Sequence, residues 1–315
     1  MSWTHVMVSV PSLGEIALIE MDKICRLTAG LGAELEIFHC IYDADVARPG
    51  RFGTRGAQQD IHEFIERRRQ QLETTAARLR GRGLSVRTSI RWDHPTHEGI
   101  VRQVLRHRPD LLIAGTTVTG HLHFTRTDFR LIETCPCPIL FMKTRRPYSD
   151  VVIAAAVDPA LAHDKPAALD LAILDSASRV RDALSARLLM FHARTAHEHI
   201  ERTAAVAGDE SDSRLSMLAA RYDIPHQRVH VLAGHPAEAL SRLAERQKTD
   251  IVVMGVAARS PLRRALIGHT AERILDTLES DVLVVKAPGF QSRVSRQSTH
   301  HVEARPALPS PYIFW

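Results

Sequence analysis

Three phrases in this 315-residue sequence hold residue types that can do chemistry. The first runs Gly255-Val256-Ala257-Ala258, then nine residues (Arg259 to Ile267), then Gly268-His269-Thr270. A glycine at a helix start lets backbone N–H groups face a bound anion with no side chain in the way, and the helix dipole adds to the attraction. Arg259, Arg263 and Arg264 can bring positive charge to the same anion. The spacing equally admits a plain strand-to-helix turn, with Gly255 left-handed and Thr270 as the cap. The second phrase, Val157-Asp158-Pro159, sets a carboxylate directly after an apolar run, and Asp158 and His235 would share one pocket mouth. No Gly-x-Ser-x-Gly and no Gly-Lys-Ser/Thr ending of a phosphate-binding loop accompanies them, so dedicated catalysis is not indicated. His235-Pro236 reads more simply as a helix start with proline at the first helical position. The third phrase gathers His94, His97, His121 and His123 with Cys135 and Cys137 elsewhere; the spacing fits no established zinc pattern, and no metal is expected.

The elements that must position these residues occur twice. His94-Pro95 and His235-Pro236 lie 141 positions apart, and Gly115 and Gly255 lie 140 apart. Leu35 to His39 matches Leu188 to His192, and Pro138 to Lys143 matches Asp281 to Lys286, in the same order. That register implies two copies of one domain, at 1–146 and 147–288, followed by a flexible tail at 289–315. In the first copy, strands are expected at Val6 to Val10, Leu35 to Ile41, Leu84 to Ile90, Leu111 to Ala114 and Ile139 to Met142. Helices alternate with them, including a long polar one from Asp60 to Leu79. The second copy repeats the plan with strands near Val151 to Val157, Leu188 to Phe191, Val229 to Leu232, Ile251 to Met254 and Val282 to Val285. A second flexible stretch is expected from Thr195 to Asp212. Unbroken Val/Ile/Leu strands are buried on both faces, so the fold class is α/β: two tandem doubly wound parallel sheets, Rossmann-like. Ligands of such sheets bind beyond the carboxyl ends of the strands, here after Val157, Phe191, Leu232 and Met254.

With these landmarks in place, the chain resembles a tandem-domain universal stress protein of the E type over residues 1 to about 290. The first half carries Phe124-Thr125-Arg126-Thr127-Asp128 and Cys135-Pro136-Cys137-Pro138; the second carries Gly268-His269-Thr270-Ala271-Glu272 and Asp281-Val282-Leu283-Val284-Val285-Lys286. The resemblance implies the universal stress protein fold, with the two copies packed as an intramolecular pseudo-dimer. It also implies an ATP-like adenine nucleotide or other small anionic ligand in the second copy, with slow ATP hydrolysis if ATP binds. The family loop reads Gly, two residues, Gly, nine residues, Gly, then Ser or Thr, with an Asp after the first strand. Gly255, Gly268 and Asp158 match it; Ala258 replaces the second glycine, and His269 stands at the hydroxyl position with Thr270 beside it. An alanine where positive φ is needed costs on the order of 1 kcal/mol, and its methyl obstructs a close phosphate. Two other readings therefore stand: a carrier of a non-nucleotide or lipid-like ligand, and a ligand-free protein-interaction module. The first copy has Thr116-Thr117-Val118-Thr119-Gly120 after Gly115 and Pro11-Ser12 at the Asp158 position, so it is expected to bind no nucleotide.

Composition narrows the partners. Lys plus Arg number 41 against 36 Asp plus Glu, a net charge of +5 that supplies no dense cationic field for nucleic acid. Arg67-Arg68-Arg69 sits beside Glu63, Glu66 and Glu73, which reads as a solvated helix face. No apolar run reaches membrane-spanning length, and the N-terminus lacks the pattern of a secretory signal, so a cytoplasmic protein is expected. Four cysteines make no disulfide framework, and reduced thiols are expected. The expected partners are a small-molecule ligand and a protein partner or a second copy, with no nucleic acid and no membrane span.

Overall fold

The structure is a computed structural model that describes residues 2–10, 18–42, 55–115, 124–159, 167–194, 207–256 and 269–297. In the first half, β1 (His5–Ser9), α1 (Leu18–Leu31), β2 (Glu34–Ile41), α2 (Arg55–Arg80) and β3 (Val86–Trp92) come first. They are followed by α3 (Thr96–His107), β4 (Leu111–Gly115), α4 (Arg126–Thr134) and β5 (Ile139–Met142). The second half repeats the order with β6 (Val152–Ala156), α5 (Ala167–Leu184), β7 (Arg187–Arg194), α6 (Ala207–Arg221) and β8 (Val229–Ala233). It closes with α7 (Pro236–Gln247), β9 (Ile251–Val256), α8 (His269–Thr277) and β10 (Asp281–Lys286).

All ten strands join one sheet in the order β3-β2-β1-β4-β5-β10-β9-β6-β7-β8. Each half is parallel throughout, as the unbroken apolar runs require, and the halves meet where β10 pairs antiparallel with β5, Leu283 opposite Leu140. The join gives the chain an approximate two-fold relation, the intramolecular pseudo-dimer expected of two copies. One face of the sheet buries α1, α2, α5 and α6 through residues such as Leu27, Leu79, Ile173 and Leu215. The other buries α3, α4, α7 and α8 through Val104, Leu131, Leu243 and Leu275. Each such side chain taken fully from water contributes about 1.5–3 kcal/mol, which is why neither half presents a polar sheet face.

The helix ends repeat too. Both α3 and α7 stop at a left-handed residue, Arg108 and Lys248, each at φ 50°, whose N–H returns to the last turn. Capping at α4 is reciprocal: Thr125 Oγ1 accepts from the Asp128 N–H while the Asp128 carboxylate accepts from the Thr125 N–H at 2.8 Å.

Three expectations shift. The third strand is Val86–Trp92, two residues later than Leu84 to Ile90, because Gly83 takes φ +86° and turns the chain after α2. Helix α6 begins at Ala207, inside the stretch expected to be flexible, since Leu215 and Ala219 give it a face to bury. The tail, as far as Gln297, lies against the first half: buried Arg102 of α3 donates to the Ser295 carbonyl at 3.2 Å and Val294 packs on the same core. The remainder of the tail lies outside the described residues.

Candidate functional site

In the second half the first strand, β6, lies between β7 and β9, so the strand order reverses there and a crevice opens at the carboxyl ends of β6 and β9. Ala156 pairs with Met254, which sets Asp158 and Gly255 on neighbouring strands at the same edge. The structure thus brings together two of the residues singled out from the sequence. Two others, Ala258 and Gly268, lie outside the described residues. His269 and Thr270 open helix α8, so that helix starts immediately after Gly268, as a phosphate-facing helix would.

The edge is built by short backbone links. Val157 N–H donates to the Phe191 carbonyl at 2.9 Å, carrying the β6–β7 ladder one residue past the strand. Asp158 is half-buried, and its N–H donates to the Asp170 carboxylate at 3.1 Å, which ties the loop to the first turn of α5. His192, buried at 2% exposure, holds the Val157 carbonyl through Nδ1 at 3.3 Å. Arg214 of α6 donates to the Pro159 carbonyl at 3.2 Å, and Arg194 pairs with Asp212 at 2.6 Å. Gly234, at φ +121°, closes the neighbouring loop by donating to the Arg194 carbonyl at 3.0 Å. His235 caps α7 through Nδ1 with Pro236 at the first helical position, so its ring serves a helix start.

Gly255 corrects the sequence reading. It is neither left-handed nor outside the strand: it pairs with Val285 inside β9. A methyl group there would stand 2.7 Å from Leu169 Cγ and 2.9 Å from Ile173 Cδ1, both on buried α5. The residue is small because a helix packs on it.

The first half shows the same frame with other contents. Val10 N–H donates to Phe38 at 2.9 Å, and His39 Nδ1 meets the Val10 carbonyl at 2.7 Å. Burial pushes the His39 pKa down. These paired histidines, His39 and His192, were visible only as landmarks of the repeat; their burial could not be read from their type. In the first half Trp92 is fully buried, Phe64 meets it edge-on at 6.2 Å, and Tyr42 stacks on His94 at 4.3 Å. Burial also pushes His97 down. Among the described residues no group of three or more His, Cys, Asp or Glu converges as a metal site, and His121 and His123 lie outside them.

A groove of about 330 Å³ lined by Arg146, Glu245, Lys248 and Glu279 opens at the other end of the second half, before β9 and β10 begin. It is away from the carboxyl edge, and its mixed charge matches no single ligand sign. Among the described residues no helix is long and apolar enough to cross a membrane. Within the arginine run on α2, Arg69 pairs with Glu66 at 3.0 Å and Arg68 donates to Gln71 at 3.1 Å.

Comparison with known proteins agrees with this geometry. Residues 145–286 match the universal stress protein family. Universal stress protein E of Escherichia coli K12 is 25% identical over 280 residues, 84% of this chain and 88% of that protein. The Salmonella typhi protein of the same name is 28% identical over 228 residues, covering 67% and 72%. A solved putative universal stress protein from Pseudomonas aeruginosa UCBPP-PA14 is 26% identical, with a TM-score of 0.69 over 90% of this chain and 93% of that one. A universal stress protein from Archaeoglobus fulgidus DSM 4304 shares the fold at 15% identity, with a TM-score of 0.62 over 90% and 98%.

Proposed function

We propose that this chain, a tandem-domain universal stress protein of the E type, is a cytoplasmic stress-response regulator. Its second half binds an adenine nucleotide or another small anion and reports the occupied state to a protein partner or a second copy. We assign the halves to 1–146 and 147–288 and the tail to 289–315. The observation that supports the reading is the crevice between β6 and β9, where Asp158 stands one strand from Gly255 and α8 starts directly after Gly268. A nucleoside would lie over the β6 end near the Asp158 carboxylate, and its phosphates would face the amides at the start of α8. The first half keeps the frame and Gly115 but has neither the aspartate nor a glycine opening α4, and its part in this reading is to pair with the second.

The packing of Gly255 under α5 favours a second reading, a ligand-free interaction module. That glycine has a structural duty whether or not phosphate binds, and Ala258 places a methyl in the loop.

One preparation separates the two. Freshly purified protein is denatured, and the supernatant is examined for adenine absorbance and by mass spectrometry; calorimetric titration with ATP follows on the stripped protein. Bound nucleotide that disappears in Gly268→Val, with unfolding midpoint unchanged, supports the ligand reading. No nucleotide and no heat of binding would establish the interaction module, and a co-purifying apolar molecule would point instead to a non-nucleotide carrier.

A further inference from the structure

Cys135 and Cys137 flank Pro136 between α4 and β5, with their sulfurs 3.6 Å apart in thiol hydrogen-bond contact. Cys135 is buried and Cys137 half-buried. Because β5 runs antiparallel to β10, the start of one faces the end of the other: Ile139 is opposite Val284, and the dithiol comes to lie beside Lys286. The Lys286 ammonium donates to the Cys135 carbonyl and stands 4.4 Å from the Phe290 ring. A first-half dithiol therefore shares a buried corner with a second-half cation. Nothing in the sequence spacing announces this, since the lysine is 151 positions from Cys135.

The corner selects these two thiols over the others. Burial by itself pushes the Cys135 thiol up, but the hydrogen bond from Cys137 and the Lys286 charge outweigh it, so the pair releases its first proton below the ordinary thiol range. Burial pushes both Cys25 and Cys40 up, Cys40 to about 12, and neither has a second thiol in contact among the described residues. A thiolate next to a resolving thiol is the arrangement that peroxides oxidise reversibly.

We propose that Cys135 and Cys137 are a redox-active dithiol that a hydroperoxide converts to an intrachain disulfide at the junction of the two halves. The one proton the pair retains crosses the sulfur contact to Cys135, and the half-buried Cys137, left as the thiolate, attacks the distal peroxide oxygen. The O–O bond breaks, Cys137 becomes a sulfenic acid, and the departing alkoxide, or hydroxide from hydrogen peroxide, takes up the proton the pair had released and leaves as an alcohol or water. The Cys135 sulfur then displaces the hydroxyl from Cys137 as water, its own proton going to that leaving group. Two thiols and one hydroperoxide thus yield one disulfide, one alcohol and one water. The sulfurs must close from 3.6 Å to about 2.05 Å. A dithiol reductant returns the pair. The proposal is independent of nucleotide binding.

The test uses the full chain and one equivalent of hydrogen peroxide, followed by alkylation without reductant and tryptic mapping. The peptide Leu131–Lys143 contains both cysteines. It is expected two hydrogens lighter and unalkylated after peroxide, and doubly alkylated once dithiothreitol is added, while Cys25 and Cys40 alkylate fully after denaturation in both samples. In Cys135→Ser, Cys137 should accumulate as a sulfenic acid trapped by dimedone. In Cys137→Ser, Cys135 should stay unoxidised at the same dose. A doubly alkylated peptide after peroxide, irreversible sulfinic or sulfonic products in the wild type, or equal oxidation of Cys25 and Cys40 would each overturn the proposal.

Discussion

Lys143 and Lys286 occupy equivalent places at the ends of the last strands of the two halves, and each donates its ammonium to the carbonyl closing the final helix of the other half. Lys143 reaches the Leu278 carbonyl after α8 at 2.7 Å, together with Leu275, and Lys286 reaches the Cys135 carbonyl after α4. A cation at a helix C-terminus satisfies carbonyls with no intrahelical partner and opposes the negative end of the dipole. Burial pushes Lys143 down to about 8, with Asp276, Asp281 and Glu279 working against the shift. The crossed arrangement makes each half complete the other, and Lys143→Met, which strands two carbonyls, should cost about 1–3 kcal/mol in urea unfolding.

The same junction holds one buried ion pair. Lys23 of α1 donates to Asp281 at 2.7 Å with both side chains at 0% exposure, and Asp281 also accepts from Tyr148 OH and from the Lys143 and Thr144 amides, each at 2.8 Å. Removing one partner leaves the other charge buried alone, so Asp281→Asn and Lys23→Met should each cost about 3–5 kcal/mol. The double variant should lose less than the two costs summed; additive losses in denaturant unfolding would deny the coupling.

Helix α1 crosses α5 at Gly30. A methyl group there would stand 1.9 Å from the Ala183 carbonyl oxygen, which is backbone and cannot rotate away. Gly30→Ala should therefore force the helices apart and cost roughly 3 kcal/mol or more, the upper part of the range for overpacked cores. Gly255→Ala meets side chains of Leu169 and Ile173 instead and should cost about 1–3 kcal/mol. Thermal unfolding that ranks Gly255→Ala below Gly30→Ala in stability would contradict this account.

Glu36 sets the acid limit of the first half. Burial pushes its carboxyl up, but hydrogen bonds from His5, Ser89 and Gln103 and the neighbouring His107 charge overcome that and hold it well below the usual carboxylate range. Arg87 adds an ion pair at 2.9 Å. A folded pKa below the unfolded one means the unfolded chain binds the proton first. The stabilisation is thus full above the ordinary glutamate value near 4.3 and declines as pH falls below it. The wild type should lose unfolding free energy between about pH 5 and pH 3 more steeply than Glu36→Gln, which starts from a lower value at pH 7; equal slopes would exclude the role.

The two parallel half-sheets were legible because a strand buried on both faces must be apolar at every position, and Val152 to Ala156 or Ile251 to Met254 cannot be written otherwise. The edge carrying Asp158 was legible for the same reason, since an apolar run ends where the buried strand ends. Burial of His39 and His192, by contrast, left no mark, because a histidine that bonds a carbonyl in the core has the same letter as one in water. The tail read as unstructured from its composition, yet Ser295 and Val294 meet Arg102 and the core beneath it.

Local pattern and repetition thus determined by themselves that the chain is two α/β copies and where the carboxyl ends of their strands fall, since periodicity is a property of neighbouring residues. The antiparallel meeting of β5 with β10, the space Gly255 yields to α5, and the approach of Lys286 to Cys135 and Cys137 were decided only in the folded molecule. Each depends on which distant surfaces come within van der Waals reach, and that follows from the packing of whole elements against one another.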